Sequence, residues 1–347
     1  MSELKVNAEN ARIAVVGAGS WGTALACLLA HKGYDIDLWA FEKEVKAQIE
    51  TRHENETFLP GIPLPLNLRP SNDLSAVIAD KDLILLVVPS HLMRAVGKRM
   101  AGLLPSGVVL VSAAKGIEND TYLSMSGVLR EVLPEVPDDS VAILSGPSFA
   151  REVGRKVPTA VTVASKNPAT AQLVQNVFSS PHFRVYTHLD VIGVELGGAA
   201  KNVIAIASGI VDGLGLGLDT RAALITRGLA EMRRLGVRLG ADPRTFSGLS
   251  GVGDLILTCT GNLSRNYTVG IKLGSGMTLK AILSEMKMVA EGVKTAKSIF
   301  NLSRKIGVEM PICEEVYRIL YEEVSPVEAV KRLMTRSLKD EFDGWEG

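Results

Sequence analysis

Between Arg12 and Gly33 the chain reads RIAVVGAGSWGTALACLLAHKG, and this stretch leaves it little choice of fold. A short apolar run, Arg12 to Val16, breaks at Gly17-Ala18-Gly19-Ser20-Trp21-Gly22 and turns into the helical pattern TALACLLAHKG. In such a strand, turn and helix, Gly17 supplies the tight turn, Gly19 a bare backbone for a pyrophosphate, and Gly22 close helix packing. The helix N-terminus then presents free N–H groups to phosphate. A GxGxxG alone is a weak signal, because glycine-rich turns are common. Here a strand precedes it, a helix follows, and a second strand, Asp35 to Trp39, comes next. Together these features predict a dinucleotide-binding unit.

Such a unit wants an acidic residue near the end of the second strand to bond the adenosine ribose hydroxyls. Glu42, in WAFEKE, occupies that position and favours NAD, whereas the adjacent Lys43 could accept the extra phosphate of NADP. Both cofactors stay open. The stretch FLPGIPLPLNLRP carries too much proline for a helix or a central strand and reads as a surface connection or flap. Beyond it, strands at Leu83 to Val88, Val108 to Ser112, Val141 to Ser145, Thr159 to Ala164 and Phe183 to Tyr186 alternate with helical segments. The alternation predicts an α/β fold with a doubly wound, mainly parallel sheet, whose ligands bind beyond the carboxyl ends of the strands. Residues just after each strand are therefore candidates: Pro89-Ser90, Ala114-Lys115-Gly116 and Gly146-Pro147-Ser148. Lys115, followed by glycine, is expected to face the crevice beyond the sheet; the alternative is an ordinary surface lysine.

Beyond His188 the alternation stops. Helices are expected at Asp190 to Asp212, Thr220 to Leu239, Gly292 to Ile306, Ile312 to Glu323 and Pro326 to Arg336. The division is a dinucleotide-binding domain over 1–189 and an all-helical substrate and catalytic domain over 190–347. The first of these helices, DVIGVELGGAAKNVIAIASGIVD, holds a lysine where every neighbour at helical spacing is apolar: Gly197 and Gly198 behind Lys201, Ile204 and Ala205 ahead. Lysines often snorkel their amine to water. Here the small residues before it let a ligand or another backbone come close, and Asn202 adds a second polar group. Desolvation pulls a lysine pKa toward neutrality, as a proton donor and acceptor requires. Two loops then concentrate polar groups. One is Ser250-Gly251-Val252-Gly253-Asp254-Leu255, with Thr258 a helical turn on; the other is Asn262-Leu263-Ser264-Arg265-Asn266. The arginine fork suits phosphate, although SRN is equally readable as a surface helix N-cap. Glu291, in VAEG, could simply compensate a helix dipole.

Composition excludes other classes. At 347 residues, two domains are the natural division. With 38 basic and 38 acidic residues the formal net charge is +0, so neither nucleic acid nor an anionic membrane is favoured as a partner, and anions need a local site. The polar start, MSELKVNAENAR, reads as neither a signal nor a transit peptide. The longest apolar stretches are interrupted by Glu195, Lys201 or glycines, which argues against membrane insertion. Cys27, Cys259 and Cys313 have neither metal spacing nor an even disulfide count, which suits a reducing cytoplasm and small buried side chains; no metal is expected.

The motifs GAGSWGTALA, VVPSH, AKGIE, SGPSFAREV, VELGGAAKNVIAIASGIVDGLGLG, TRGLAEM, SGVGDLILTCTGNLSRN and EGVKTA closely resemble bacterial NAD(P)-dependent glycerol-3-phosphate dehydrogenases, from Arg12 to about Asp340. GGAAKN and the GDL and SRN pair are the most specific. The resemblance implies an N-terminal Rossmann-type sheet followed by an all-helical C-terminal domain. It implies that Ser20 and Trp21 line the cofactor pyrophosphate, that Lys115 touches cofactor and substrate, and that Gly146 and Ser148 hold substrate while Ala150 meets the cofactor. Lys201 would exchange the proton, with Asn202 beside it and Asp254 and Thr258 completing the polar cluster. Ser264, Arg265 and Asn266 would bind substrate, Arg265 also reaching the cofactor, and Val289 and Glu291 would close over the nicotinamide end. Many relatives carry arginine or histidine at the position of Phe41, so its loss weakens the expectation of NADP use.

The resemblance thus implies hydride transfer between NAD(P)(H) and a triose phosphate or glycerol phosphate, feeding phospholipid synthesis in the cytoplasm. The apolar helical domain also admits a homodimer. Two other readings remain: a two-domain hydroxyacid dehydrogenase, which needs a carboxylate pocket that the SRN loop does not exclude, and a nucleotide-sensing protein without turnover.

Overall fold

The computed structural model describes residues 7–286 and 290–341. The described residues form two compact units: one comprises those up to 114 and 125–191, the other 115–124 and those from 192 onward.

The first unit is built on an eight-stranded sheet: β1 Ile13–Val16, β2 Ile36–Trp39, β3 Leu68–Ser71, β4 Leu83–Leu86, β5 Val109–Ser112, β6 Val141–Ser145, β7 Thr159–Ala164 and β8 Phe183–His188. The order is β3-β2-β1-β4-β5-β6-β7-β8. All neighbours run parallel except β6 and β7, so the expected doubly wound, mainly parallel sheet is borne out. Strands β1, β4 and β5 are buried along their whole length, which is why they read as unbroken apolar runs rather than alternating ones. Helices α1 Ser20–His31, α2 Lys43–Arg52, α3 Leu74–Ile78, α4 Met93–Met100, α5 Met125–Val132, α6 Ala150–Gly154 and α7 Pro168–Phe178 make the connections.

One expectation is corrected here. The proline-rich stretch does not remain a pure surface connection: its last residues, from Leu68, form β3, with Pro70 paired opposite Leu38. Proline is tolerated because β3 is an edge strand and needs no second ladder.

The second unit contains α8 Val191–Gly213, α9 Gly217–Arg238, α10 Asp254–Thr260, α11 Arg265–Gly274, α12 Leu279–Glu285, α13 Glu291–Ile306, α14 Pro311–Tyr321 and α15 Pro326–Met334. Its core is centred on α8, buried from Gly193 to Val211. That helix is long and apolar enough to cross a membrane, yet 89% of its most apolar window is enclosed by protein. Glycines let neighbouring backbones reach it. A β-carbon on Gly209 would stand 2.1 Å from the Tyr267 carbonyl oxygen, and one on Gly270 would stand 2.1 Å from that of Ile206, so α8 and α11 touch main chain to main chain.

Candidate active site

In the first unit the glycine turn is held by backbone conformation and close packing. Gly17 adopts φ +117°, a conformation that a side chain would strain, and an added β-carbon would lie 2.9 Å from the Val87 carbonyl oxygen. A β-carbon on Gly22 would fall 1.8 Å from the Gly17 oxygen, so α1 can begin this close to β1 only with glycine there. Gly19 caps α1 with no side-chain hydrogen bond and has open space where a β-carbon would be. The start of α1 therefore has open space beside its N-cap, and a helix N-terminus with room beside it suits a phosphate. Ser20 donates its hydroxyl to the Phe58 carbonyl at 2.5 Å, and half-buried Trp21 packs on the core.

At the end of β2, Phe41 is 72% exposed and meets Trp39 edge-on. Glu42 precedes α2 as its N-cap without a side-chain capping bond. Gly146, at φ +147°, would clash with Val161 if it carried a side chain; Ser148 donates to the Gly146 carbonyl at 3.1 Å, and Ala150 opens α6.

The second unit gathers the charged candidates. Lys201 is 6% exposed and Asp254 1%. The Lys201 ammonium donates to Asp254 Oδ1 and, at 2.8 Å, to Thr258 Oγ1. Lys115 donates to the other oxygen, Asp254 Oδ2, at 2.6 Å. One carboxylate thus bridges two lysines. Burial lowers the Lys201 pKa to about 7; the Asp254 charge opposes that, and the Lys115 charge reinforces it. An amine so poised is half protonated near neutral pH and can give or take a proton with little driving force in either direction. Lys115 is neither a surface lysine nor part of the sheet's unit: residues 115–124 cluster with the helices.

The first polar segment, expected as a loop, runs into a helix start, and the second takes the N-cap form that was its alternative reading. Asp254 opens α10, immediately after a π turn at Leu249–Gly253, and its carboxylate sits at the favourable end of the helix dipole. Ser264 caps α11, accepting the Tyr267 N–H at 3.2 Å, and Arg265 is that helix's first residue. This is an N-cap, but Ser264 and Asn266 are buried while Arg265 is exposed. The glycine and serine content that suggested loops serves instead for caps and close approach: a β-carbon on Gly197 of α8 would meet the Ser250 oxygen at 2.4 Å. Asn202 turns to Asn266, accepting its amide N–H at 2.9 Å, and Asn266 in turn accepts the Gly292 N–H at 2.9 Å. The geometry therefore brings together Lys115, Lys201, Asp254 and Thr258, and separately links Asn202, Asn266 and the start of α13, where Glu291 is the first residue. Val289 lies outside the described residues.

Sequence reasoning missed Glu195 and Ser124, which are hydrogen-bonded to each other in the same unit; a carboxylate in an apolar helix was the available signal.

Comparison with known proteins shows the family. The family model for the NAD-dependent glycerol-3-phosphate dehydrogenase N-terminus matches residues 12–171, and that for the C-terminus matches 190–331. The chain is 58% identical to glycerol-3-phosphate dehydrogenase [NAD(P)+] of Syntrophobacter fumaroxidans over 95% of its length and 97% of that protein's. It is equally similar, 58%, to the enzyme of that name from Geobacter sulfurreducens, over 95% and 98%. The crystal structure of glycerol-3-phosphate dehydrogenase from Coxiella burnetii superposes with a TM-score of 0.90 at 41% identity, covering 94% of this chain and 99% of that one. With a nucleotide turn in one unit, a dry lysine in the other and relatives matched along nearly their whole length, this chain belongs to the NAD-dependent glycerol-3-phosphate dehydrogenase family.

Proposed function

We propose that the chain interconverts dihydroxyacetone phosphate and sn-glycerol 3-phosphate with NAD(P)(H), supplying glycerol 3-phosphate for phospholipid synthesis. The observation that carries this reading is the buried Lys201, bonded to Asp254 and Thr258 with Lys115 on the same carboxylate. The nicotinamide nucleotide, when bound, supplies or takes up the hydride. Gly17, Gly19, Ser20, Trp21 and Gly22 would hold its pyrophosphate against the α1 N-terminus, and Glu42 its ribose.

In the reducing direction the Lys201 ammonium gives its proton to the carbonyl oxygen as it takes on alkoxide character, its C–O bond retained; in oxidation the neutral amine takes the hydroxyl proton back. Lys115 adds positive charge for that oxygen. Asp254 holds both amines in place, and Thr258 fixes the direction of the Lys201 head. Arg265, Ser264 and Asn266 take the substrate phosphate, so binding energy remote from the reacting carbon orients it. In this assignment residues 1–189 hold the nucleotide and 190–347 the substrate, with 115–124 lending Lys115 to the helical part. The protein works as a homodimer in the cytoplasm.

Replacing Lys201 with alanine is expected to abolish turnover and leave nucleotide binding nearly intact; retained turnover overturns the assignment. Replacing Arg265 with alanine removes a charged hydrogen-bonding fork and is expected to raise the KM for dihydroxyacetone phosphate on the order of tenfold or more. An unchanged KM counts against phosphate binding there.

A further inference from the structure

We propose that Glu195 and Ser124 are positioning residues: the Glu195 carboxylate on α8 holds the 115–124 segment in the place that sets Lys115 against Asp254. The inference rests on the reading of Lys201 as the proton-exchanging group.

The segment is a stiff hairpin. Ile117 and Ser124 form an antiparallel bridge, the Glu118 N–H donates to the Leu123 carbonyl at 2.9 Å, and the Tyr122 N–H returns to the Glu118 carbonyl at 3.0 Å. Thr121 adds a 2.6 Å bond to the Glu118 carboxylate. Fixing Ser124 therefore fixes Ile117, two residues from Lys115. Ser124 donates its hydroxyl to Glu195 Oε2 at 2.7 Å, and Glu195 is only 7% exposed within an otherwise apolar stretch of α8. Burying a carboxylate carries a desolvation penalty that an apolar side chain of similar size would avoid, so mere space-filling does not account for it.

Glu195 and Lys201 ride on the same rigid helix, about 9 Å apart along its axis at the usual rise per residue. The hairpin is thus referred to α8 twice: Ser124 through Glu195, and Lys115 through Asp254 to Lys201. Among the described residues, the titratable groups acting on Lys201 are Asp254 and the Cys259 thiol from α10 and Lys115 from the hairpin segment. Of the two charged ones, Lys115 repels the proton on Lys201. A hairpin released from Glu195 lets that charge withdraw, and Lys201 holds its proton to higher pH.

The test is the pH dependence of kcat for glycerol 3-phosphate oxidation, which rises as Lys201 becomes neutral, in the full-length wild type, Ser124→Ala, Glu195→Leu, Glu195→Gln and Lys201→Ala, each checked for folding by thermal melting. In Ser124→Ala and Glu195→Leu the midpoint of the rise is expected to move up by about one pH unit, the size of shift a nearby like charge produces. Glu195→Gln keeps an oxygen that accepts the Ser124 hydroxyl, and its midpoint is expected to stay at the wild-type value. Folded Ser124→Ala with an unmoved midpoint overturns the proposal, as does a Glu195→Gln midpoint displaced as far as that of Glu195→Leu. If Glu195→Leu does not fold, Ser124→Ala, which loses a single oxygen, decides. Turnover in Lys201→Ala defeats the underlying reading; an inactive Lys201→Ala beside an unmoved Ser124→Ala defeats this inference alone.

Discussion

Replacing Lys201 with methionine is expected to destroy activity and stabilise the fold. Burial takes the Lys201 pKa from its ordinary 10.5 down to about 7. Each pH unit of displacement is worth about 1.4 kcal/mol, so charging this lysine in the folded protein costs about 5 kcal/mol relative to the unfolded chain. The sign follows from proton counting. Between pH 7 and 10.5 the unfolded chain binds the proton that the folded one has released, so stability rises with pH across that window. Below pH 7 both states are protonated and the penalty is present in full. Methionine has similar length and no charge, and Asp254 keeps Lys115 as partner. The variant should therefore exceed the wild type by roughly 3–5 kcal/mol at pH 6, with the margin shrinking by about half by pH 9 as the wild-type lysine sheds its proton. Urea denaturation at pH 6, 7, 8 and 9, with kcat measured on the same preparations, reads both quantities. A variant less stable than wild type at pH 6, or a margin that does not change between pH 6 and 9, would refute the account of a desolvated ammonium. A gain in stability with loss of turnover is the trade-off expected where a functional group is held against its own solvation.

Gly22→Ala places a methyl group 1.8 Å from the Gly17 oxygen, so α1 must shift off β1. NADH titration by fluorescence should show binding weakened on the order of a hundredfold or lost, equivalent to about 3 kcal/mol or more, and wild-type affinity would exclude the close-packing role. Glu231, 3% exposed on α9, accepts the Ile312 N–H at 2.7 Å and the Cys313 N–H at 3.2 Å at the start of α14, and burial raises its pKa from 4.5 to about 7. A carboxyl with a raised pKa contributes its full stability below the unfolded value and loses it as pH rises toward 7, so Glu231→Gln should gain on the wild type by up to about 3 kcal/mol between pH 4.5 and 7. A difference in denaturation midpoint that is constant over that range would contradict a buried, titrating acid.

How far the sequence reaches depends on the distance over which each constraint acts. The glycine turn, the run of parallel strands and the helical character of the second half rest on neighbours a few residues apart, and all are legible in the string of residues. β3 escaped because two of its four positions, Arg69 and Pro70, look like loop, and only pairing with Leu38 on β2 makes the segment a strand. The start of α10 escaped because Gly251 and Gly253 are turn-forming in isolation, whereas in the fold glycine at 251 avoids a 2.2 Å clash with the Phe246 oxygen; the start of α11 was legible as the N-cap reading of SRN, with Ser264 as the cap. Lys201 could be singled out as a charge among apolar neighbours, but what makes it reactive could not. Its counter-ion comes from 53 residues downstream, and the second amine on that carboxylate is 139 residues from it, carried on a hairpin within a segment that reads as part of the sheet's half of the chain. An amine alone in an apolar helix would lose its proton entirely, and one fully paired would never release it. Only the combination of a deep site, one shared carboxylate and a competing amine leaves its pKa near 7, and that combination is a property of the folded chain, not of the residues next to Lys201.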